Sequence, residues 1–122
     1  MERIEKQIQF ILEIDKEKQI KRKTLQSNGK DFEDDAQHAW HMAIMTLLLS
    51  EYSNEKIDVL KTISMLLIHD LVEIDAGDTY AYDDQGLKVQ NERENLAANR
   101  ICNLLPEDQA KKVFDLWNEF EE

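Results

Sequence analysis

The stretch Val59-Leu-Lys-Thr-Ile-Ser-Met-Leu-Leu-Ile-His-Asp70 is the most apolar segment of the chain, and it ends in two strongly polar residues. Its apolar side chains recur every three or four positions, which predicts a helix from Glu55 to about Asp70. Apolar residues occupy its other faces as well, so we expect this helix to be the most buried one. Ser53 or Asn54 is suited to cap its first turn.

The rest of the chain predicts further helices on both sides of this segment. We expect them at residues 2–24, 36–52 and 88–104, with a last helix starting near Pro106. A turn is expected at Ser27–Gly29 and an acidic loop at 73–85. Two of these helices carry an apolar stripe at helical spacing: Ile4, Ile8, Ile11 and Leu12; and Trp40, Ala43, Ile44, Leu47 and Leu48. The last helix is expected to bury Val113, Leu116, Trp117 and Phe120, and Trp40 and Trp117 are expected to be core anchors.

Length and composition fit one small all-α domain in the cytoplasm. The 122 residues include only 3 Gly and 1 Pro, too few for a fold with many tight turns. The single cysteine, Cys102, cannot form an internal disulfide and is expected in the core. No apolar run approaches the ~20 residues of a membrane span. A net charge of −11 argues against a nucleic-acid polymer as partner.

His69 and Asp70 are the residues most suggestive of chemistry. Burying an ionised aspartate without a partner costs several kcal/mol. A divalent cation would offset that cost, and imidazole plus carboxylate is a suitable ligand pair. The alternative is that the pair ends its helix facing water. His38 would meet the pair if its helix packs antiparallel, and His41, three residues further on, is either a rival ligand or a packing or surface residue.

Two runs carry a resemblance to a known family. They are His38-Ala-Trp-His-Met-Ala43 and Leu67-Ile-His-Asp-Leu-Val-Glu-Ile-Asp-Ala-Gly-Asp78. Together they resemble the HD-domain superfamily of metal-dependent phosphohydrolases, in the branch of bacterial 5′-deoxynucleotidase and the eukaryotic HD-domain-containing protein 2. The similarity covers nearly the whole chain, including residues 79–84, 93–94, 97–98 and 116–121.

The resemblance implies a divalent metal ion, one of Mn, Co, Fe, Ni, Zn or Mg, bound by His38, His69, Asp70 and a distal aspartate. Such a metal polarises a phosphoryl oxygen and lowers the pKa of a bound water. Glu73 matches the glutamate that orients or deprotonates this water, and Asp78 matches the acid that contacts the sugar or assists the leaving group. Their alternative roles are a solvated carboxylate at a helix end and a turn-capping aspartate.

Basic residues are the expected phosphate contacts. Arg22 falls where the family carries an arginine before the first ligand histidine, and a guanidinium fork suits phosphate oxygens. Lys23 can take its place, and Lys88 is a second candidate at the start of the fourth helix. The alternative for all three is a solvated basic face.

Two departures from the family pattern bear on the site. Gln37 stands where the family usually has glutamate, so a carboxylate that supports His38 is expected to be lost, and Ala39 replaces a serine. No residue before Glu122 corresponds to the distal aspartate. The resemblance therefore implies a helical bundle that lacks its last helix and a site with three of four ligands.

Residues 1–122 are thus interpreted as a single all-α HD domain of about five or six helices. The leading hypothesis is a phosphohydrolase acting on nucleoside 5′-monophosphates, with no nucleic acid or membrane as partner. The alternatives are a degenerate HD domain that serves as a regulatory or interaction module, and a plain bundle without a site. An apolar face left exposed would favour a homodimer.

Overall fold

The computed structural model describes residues 1–76 and 84–121, apart from the side chains of 23–25 and 84–87. These residues form six α-helices and one β-hairpin. The elements are α1 (Arg3–Ile14), a 3₁₀ turn (Asp15–Gln19), β1 (Lys21–Leu25), β2 (Phe32–Asp34), α2 (Asp35–Leu49), a 3₁₀ turn (Ser50–Tyr52), α3 (Val59–Ile68), α4 (Glu73–Ala76), α5 (Asp84–Cys102) and α6 (Glu107–Glu121). The predicted helical fold class is confirmed, with the hairpin as an addition. No helix in the described part is long and apolar enough to cross a membrane.

The first 3₁₀ turn and strand β1 replace the second half of the predicted first helix, so the prediction of an α-helix to residue 24 is wrong beyond Ile14. β1 and β2 pair antiparallel, with Lys21 opposite Asp34. The predicted turn between them is confirmed, and Gly29 adopts a φ of 71° that favours glycine. A strand is stabilised by its partner across the sheet, which the local apolar spacing of one segment does not reveal.

The start of α2 is set by a capping box. The Asp34 side chain accepts a hydrogen bond from Gln37 N at 2.8 Å, and Gln37 Oε1 accepts one from Asp34 N at 3.0 Å. Two backbone donors at the helix start are thereby satisfied. Because Asp34 is also the last residue of β2, the hairpin directly determines where α2 begins.

α3 starts later than predicted. Asp58 is its N-cap and accepts from Lys61 N at 3.1 Å, so the predicted caps Ser53 and Asn54 are wrong. The expectation that α3 is the most buried helix is also wrong. It buries Leu66, whereas α5 buries several residues in its second half: Ala97, Ala98, Ile101 and Cys102. The predicted acidic loop contains the short helix α4, and α5 begins at Asp84.

The core lies between the α3–α4 corner, α5 and α6. One cluster joins Val72, Ala97, Ala98 and Trp117, and a second joins Cys102, Leu105 and Ala110. Phe114 packs against both clusters. Cys102 is buried as expected, and this burial raises the pKa of its thiol to about 11.

Two apolar stripes that the sequence predicted are exposed, so the expectation that Trp40 is a core anchor is wrong. The α1 stripe consists of Ile4, Ile8, Ile11 and Leu12, and the α2 stripe of Trp40, Ile44, Leu47 and Leu48; each of these side chains is at least 41% exposed. Of the predicted α2 positions, Ala43 is buried. On α6, Trp117 is buried while Phe120 is exposed. Periodicity shows that a helix has an apolar face, but not that anything in the same chain covers it.

Candidate metal centre

The packing of α2 against α3 brings three sequence-predicted ligands together. His38 lies in the first turns of α2, and His69 and Asp70 follow the end of α3. One ligand atom from each of the three side chains lies within 4.8 Å of the others. The two imidazole centroids are 6.2 Å apart. These side chains lie close enough for one cation to contact all three.

Both histidines have their Nδ1 atom occupied by an acceptor. His38 Nδ1 lies 3.0 Å from Glu33 Oε1, and His69 Nδ1 lies 2.5 Å from the carbonyl oxygen of Leu66. A proton on each Nδ1 donates to these oxygens and leaves each Nε2 with a free lone pair for a metal. His69 Nε2 is 3.1 Å from Asp70 Oδ2, so these two potential ligand atoms are already neighbours.

His69 and Asp70 shift each other's protonation. Burial acts to lower the pKa of His69, but its hydrogen bond to Asp70 and the charge of that carboxylate leave the pKa raised. Burial acts to raise the pKa of Asp70, but hydrogen bonds with His69 and Glu73 hold it below its usual range. Without a metal, the pair therefore favours the charged carboxylate together with a proton on His69 Nε2, and a cation that binds Nε2 must displace that proton.

A second group of carboxylates adjoins the first. Asp35, at the start of α2, and Glu73, at the start of α4, each offer an oxygen within 4.8 Å of the others and of Asp70. Asp35 is fully buried, and Glu73 is 8% exposed. Burial raises the pKa of Glu73 to about 11, reinforced by Asp70 and Asp35. Burial likewise raises the pKa of Asp35 to about 6.

Two buried oxygens of this group, Asp35 Oδ2 and Glu73 Oε2, have no hydrogen-bond partner among the described residues. Unpaired buried carboxylate oxygens are costly unless a proton or a cation satisfies them. The donor set of two imidazoles and nearby carboxylates therefore fits a divalent metal.

Arg22 is the cation that the fold itself brings to these carboxylates. Its Nη1 atom lies 3.4 Å from both Asp35 Oδ1 and Asp70 Oδ2. Its Nε atom lies 3.8 Å from Glu33 Oε1. β1 thus delivers the predicted phosphate contact next to the predicted metal ligands.

The other residues predicted for the site are outside both ligand groups or outside the described part of the structure. His41 is exposed and stacks on Trp40, with ring centroids 6.2 Å apart, and it is outside both ligand groups of the described residues. Lys88 is exposed on α5. Lys23 lies on β1, but its side chain is outside the described part, and Asp78 lies outside the described residues altogether.

Sequence reasoning missed three acids at the site. Glu33 and Asp35 belong to a polar stretch that the sequence suggested was only a lead into α2. The available signal was their position within five residues of His38. Glu17, in the first 3₁₀ turn, is 7% exposed, and burial together with the charges of Asp35 and Asp70 raises its pKa to about 7. No sequence signal distinguishes Glu17 from solvated acids nearby.

Comparisons with known proteins agree with this fold. A family model described as HD domain matches residues 14–122. A Dictyostelium discoideum protein named 5′-deoxynucleotidase HDDC2 is 31% identical over 121 residues, covering 94% of this chain and 64% of that protein. A Homo sapiens protein of the same name is 30% identical over 84 residues, covering 69% of this chain and 40% of that protein.

A solved structure is similar over almost the whole chain. It is a predicted metal-dependent phosphohydrolase from Magnetospirillum magnetotacticum MS-1, with 48% sequence identity and a TM-score of 0.87. The match covers 98% of this chain and 60% of that one. The chain thus spans less than two thirds of the length of these relatives. By sequence and by fold, the chain belongs to the HD-domain family.

Proposed function

We propose that this single HD domain, residues 1–122, is a divalent-metal-dependent phosphohydrolase that converts nucleoside or deoxynucleoside 5′-monophosphates to nucleoside and phosphate. The observation that carries the proposal is the convergence of His38, His69 and Asp70 with both Nδ1 atoms already engaged. The names of the relatives, 5′-deoxynucleotidase and metal-dependent phosphohydrolase, support the reaction class.

The metal would be held by His38, His69 and Asp70. When bound, it would supply a water of lowered pKa and polarise a phosphoryl oxygen. Two imidazoles and one carboxylate favour a transition metal such as Mn, Fe, Co, Ni or Zn over Mg, which prefers an all-oxygen shell.

Side chains of the protein would bind the phosphate and handle the proton of the attacking water. Arg22 donates to the phosphate oxygens, since its guanidinium lies beside the ligand Asp70. Glu73 would orient the attacking water and would accept its proton once a cation bound beside Asp70 offsets the carboxylate charges that keep the pKa of Glu73 raised. Asp78, Lys23 and Lys88 remain proposed contacts to the sugar or phosphate. Asp78 is assigned this role by the family resemblance alone.

The decisive experiment combines metal analysis with phosphate release from deoxynucleoside 5′-monophosphates. His69→Ala should lose bound metal and reduce the rate at least ~100-fold, because it removes a ligand rather than a supporting group. His41→Ala is the matched control and should retain both properties, since His41 is outside the ligand groups.

The competing function is a degenerate HD domain that acts as a regulatory or interaction module. It is favoured by the three-ligand size of each group among the described residues. A folded wild-type chain that binds none of these metals would contradict the enzyme proposal and support this module instead. Unchanged activity in His69→Ala would show that the site is misplaced.

We also propose a homodimer in the cytoplasm, formed through the α2 stripe. Trp40, Ile44, Leu47 and Leu48 of this stripe are each at least 41% exposed. A contiguous exposed apolar face of this kind is typical of an interface between protein chains. Trp40 is the type of residue that dominates such interfaces.

Leu48→Glu tests this dimer, because a charge within the exposed α2 stripe should dissociate two copies. Ile8→Glu is the matched control on the α1 stripe and should leave the dimer intact. Light scattering or sedimentation of the wild type and both variants gives the mass directly. A wild-type monomer at micromolar concentration would assign the α2 stripe to another occupant and overturn the dimer.

A further inference from the structure

Glu33 contacts both functional groups that the two strands and α2 bring together. Its Oε1 atom lies 3.0 Å from His38 Nδ1 and at an ion-pair distance of 3.8 Å from Arg22 Nε, a buried nitrogen without a hydrogen-bond partner among the described residues. Its side chain is 17% exposed, and that of Arg22 is 25% exposed, so solvent screens neither contact fully. One carboxylate oxygen thus adjoins a predicted metal ligand and a predicted phosphate contact.

The hairpin makes this arrangement a consequence of backbone pairing. Arg22 lies on β1 and Glu33 on β2, which are paired antiparallel. The next residue, Asp34, caps α2, and His38 follows within the first turns of that helix. Because these positions are linked through a short, hydrogen-bonded segment, the separation of the three side chains is constrained by the fold.

Glu33 also offers His38 a carboxylate. The sequence suggested that such a group was lost, because Gln37 stands where the family usually has glutamate. Gln37, which precedes His38, is engaged elsewhere, since its Oε1 accepts from Asp34 N at 3.0 Å and from Gln26 Nε2 at 3.2 Å. Glu33 provides an acceptor for the His38 ring from the neighbouring strand instead. Acceptors of this type set the tautomer and the orientation of a metal-binding imidazole.

We propose that Glu33 is a positioning residue that couples metal binding to phosphate binding. Through His38 Nδ1 it directs Nε2 toward the metal, and through Arg22 Nε it orients the guanidinium toward the phosphate. This inference rests on the proposed function. It goes further by assigning to one carboxylate the geometry of two different binding groups.

The first test is a titration of the metal-free chain with Co²⁺, followed by calorimetry and by the visible spectrum of the bound ion. Glu33→Ala should weaken Co²⁺ binding about 10–100-fold, the usual effect of removing a group that supports a ligand. Glu33→Gln keeps an acceptor oxygen for His38 and should bind Co²⁺ within a few-fold of wild type. Glu55→Ala, at an exposed acid, is the control and should change nothing.

The second test measures binding of inorganic phosphate to the Co²⁺-saturated protein. Both Glu33 variants should weaken phosphate binding, because each removes the charge that faces Arg22. In an Arg22→Ala background the same substitutions should have no further effect on phosphate, since the group that Glu33 orients is gone. This lack of additivity is the signature of coupling.

The outcomes separate this inference from the proposed function. A wild-type chain that binds no Co²⁺ contradicts the proposed function. A wild-type chain that binds Co²⁺, with Glu33→Ala binding it equally well, overturns the role of Glu33 alone. If Glu33→Ala does not fold, Glu33→Gln decides: unchanged phosphate affinity, or a loss of Co²⁺ affinity as large as that of His69→Ala, overturns the proposal.

Discussion

The candidate metal centre and the two exposed stripes differ in how the fold packs their residues. His38, His69 and Asp70 were expected together from the sequence, and their ligand atoms do converge within 4.8 Å. The stripes on α1 and α2 were predicted from helical spacing, and all their side chains except that of Ala43 remain 41% or more exposed. The first prediction rested on residue types and a family resemblance and concerns groups that must meet each other, whereas the second rested on spacing alone.

The difference lies in what each pattern requires. Buried charges need specific partners of opposite charge or a cation, so a cluster of them constrains which elements adjoin. An apolar face needs only removal from water, and any apolar surface, including that of another molecule, can provide it. Periodic apolar residues therefore identify a helix face that is suited to burial, but they do not identify which surface buries it.

The largest expected effect contrasts a buried and an exposed isoleucine. Ile101 is 1% exposed, and Ile8 in the α1 stripe is 47% exposed. Ile101→Ala should lower the free energy of unfolding by about 2–5 kcal/mol, because it leaves a cavity in the core. Ile8→Ala should change it by no more than about 0.5 kcal/mol. Urea denaturation followed by circular dichroism measures both.

Equal losses of unfolding free energy in the two variants would contradict the distinction between the core and the α1 stripe. They would mean that the α1 stripe is covered in solution. Repeating the measurement over a hundredfold range of protein concentration would then distinguish cover by a second copy from cover within one chain, since the former depends on concentration.

The next effect concerns Glu17, whose pKa is raised from its ordinary value of 4.5 to about 7 by burial and acidic neighbours. The folded protein holds this proton more tightly than the unfolded chain. The resulting stability is fully present below about pH 4.5 and is lost as the pH rises through 7. Glutamine cannot ionise, so Glu17→Gln should avoid the destabilisation at high pH. The variant should raise the free energy of unfolding at pH 8 by up to about 3 kcal/mol.

Thermal unfolding of the metal-free protein at pH 4 and pH 8 measures this effect. The difference between Glu17→Gln and wild type is the useful quantity, because Asp35 and Glu73 also have raised pKa values and affect both proteins. Glu5→Gln, at an exposed acid on α1, serves as the control. A Glu17 variant no more stable than wild type at pH 8 would show that Glu17 is solvated or paired in solution.

The smallest effect tests how α3, which carries the His-Asp pair, begins. Asp58→Ala removes the side chain that accepts from Lys61 N and should cost about 1 kcal/mol. Ser53→Ala, at the cap expected from the sequence, should stay within about 0.5 kcal/mol. Chemical denaturation of the two variants compares them directly. A larger loss in Ser53→Ala would place the start of α3 earlier than Asp58.

The helices were predictable where local signals agree. Pro106 and the acids that follow it indicated α6, and Ser27–Gly29 indicated the turn. The hairpin was not predictable, because each strand is short and its pairing joins segments that share no periodic pattern. The start of α3 was misplaced because Ser53, Asn54 and Asp58 are all good caps, and the choice among them depends on packing.

At the site, residue types and the family resemblance predicted the candidate ligands but not the acids that adjoin them. His69 and Asp70 stand out because they follow an apolar helix. Glu33 and Asp35 do not stand out among the acids of a chain with a net charge of −11. Their roles appear only when β2 places one beside His38 and α2 buries the other completely.

The sequence by itself determined the helical class of this protein and the family to which it belongs, and it predicted His38, His69 and Asp70 as candidate ligands. These inferences depend on residue type and local spacing, which are present in the unfolded chain. Only the tertiary structure decided that Glu33 lies beside His38, that Arg22 lies beside Asp70 and that the α1 and α2 stripes stay exposed. These depend on contacts between distant segments, whose free energies are determined by packing and burial rather than by local preference.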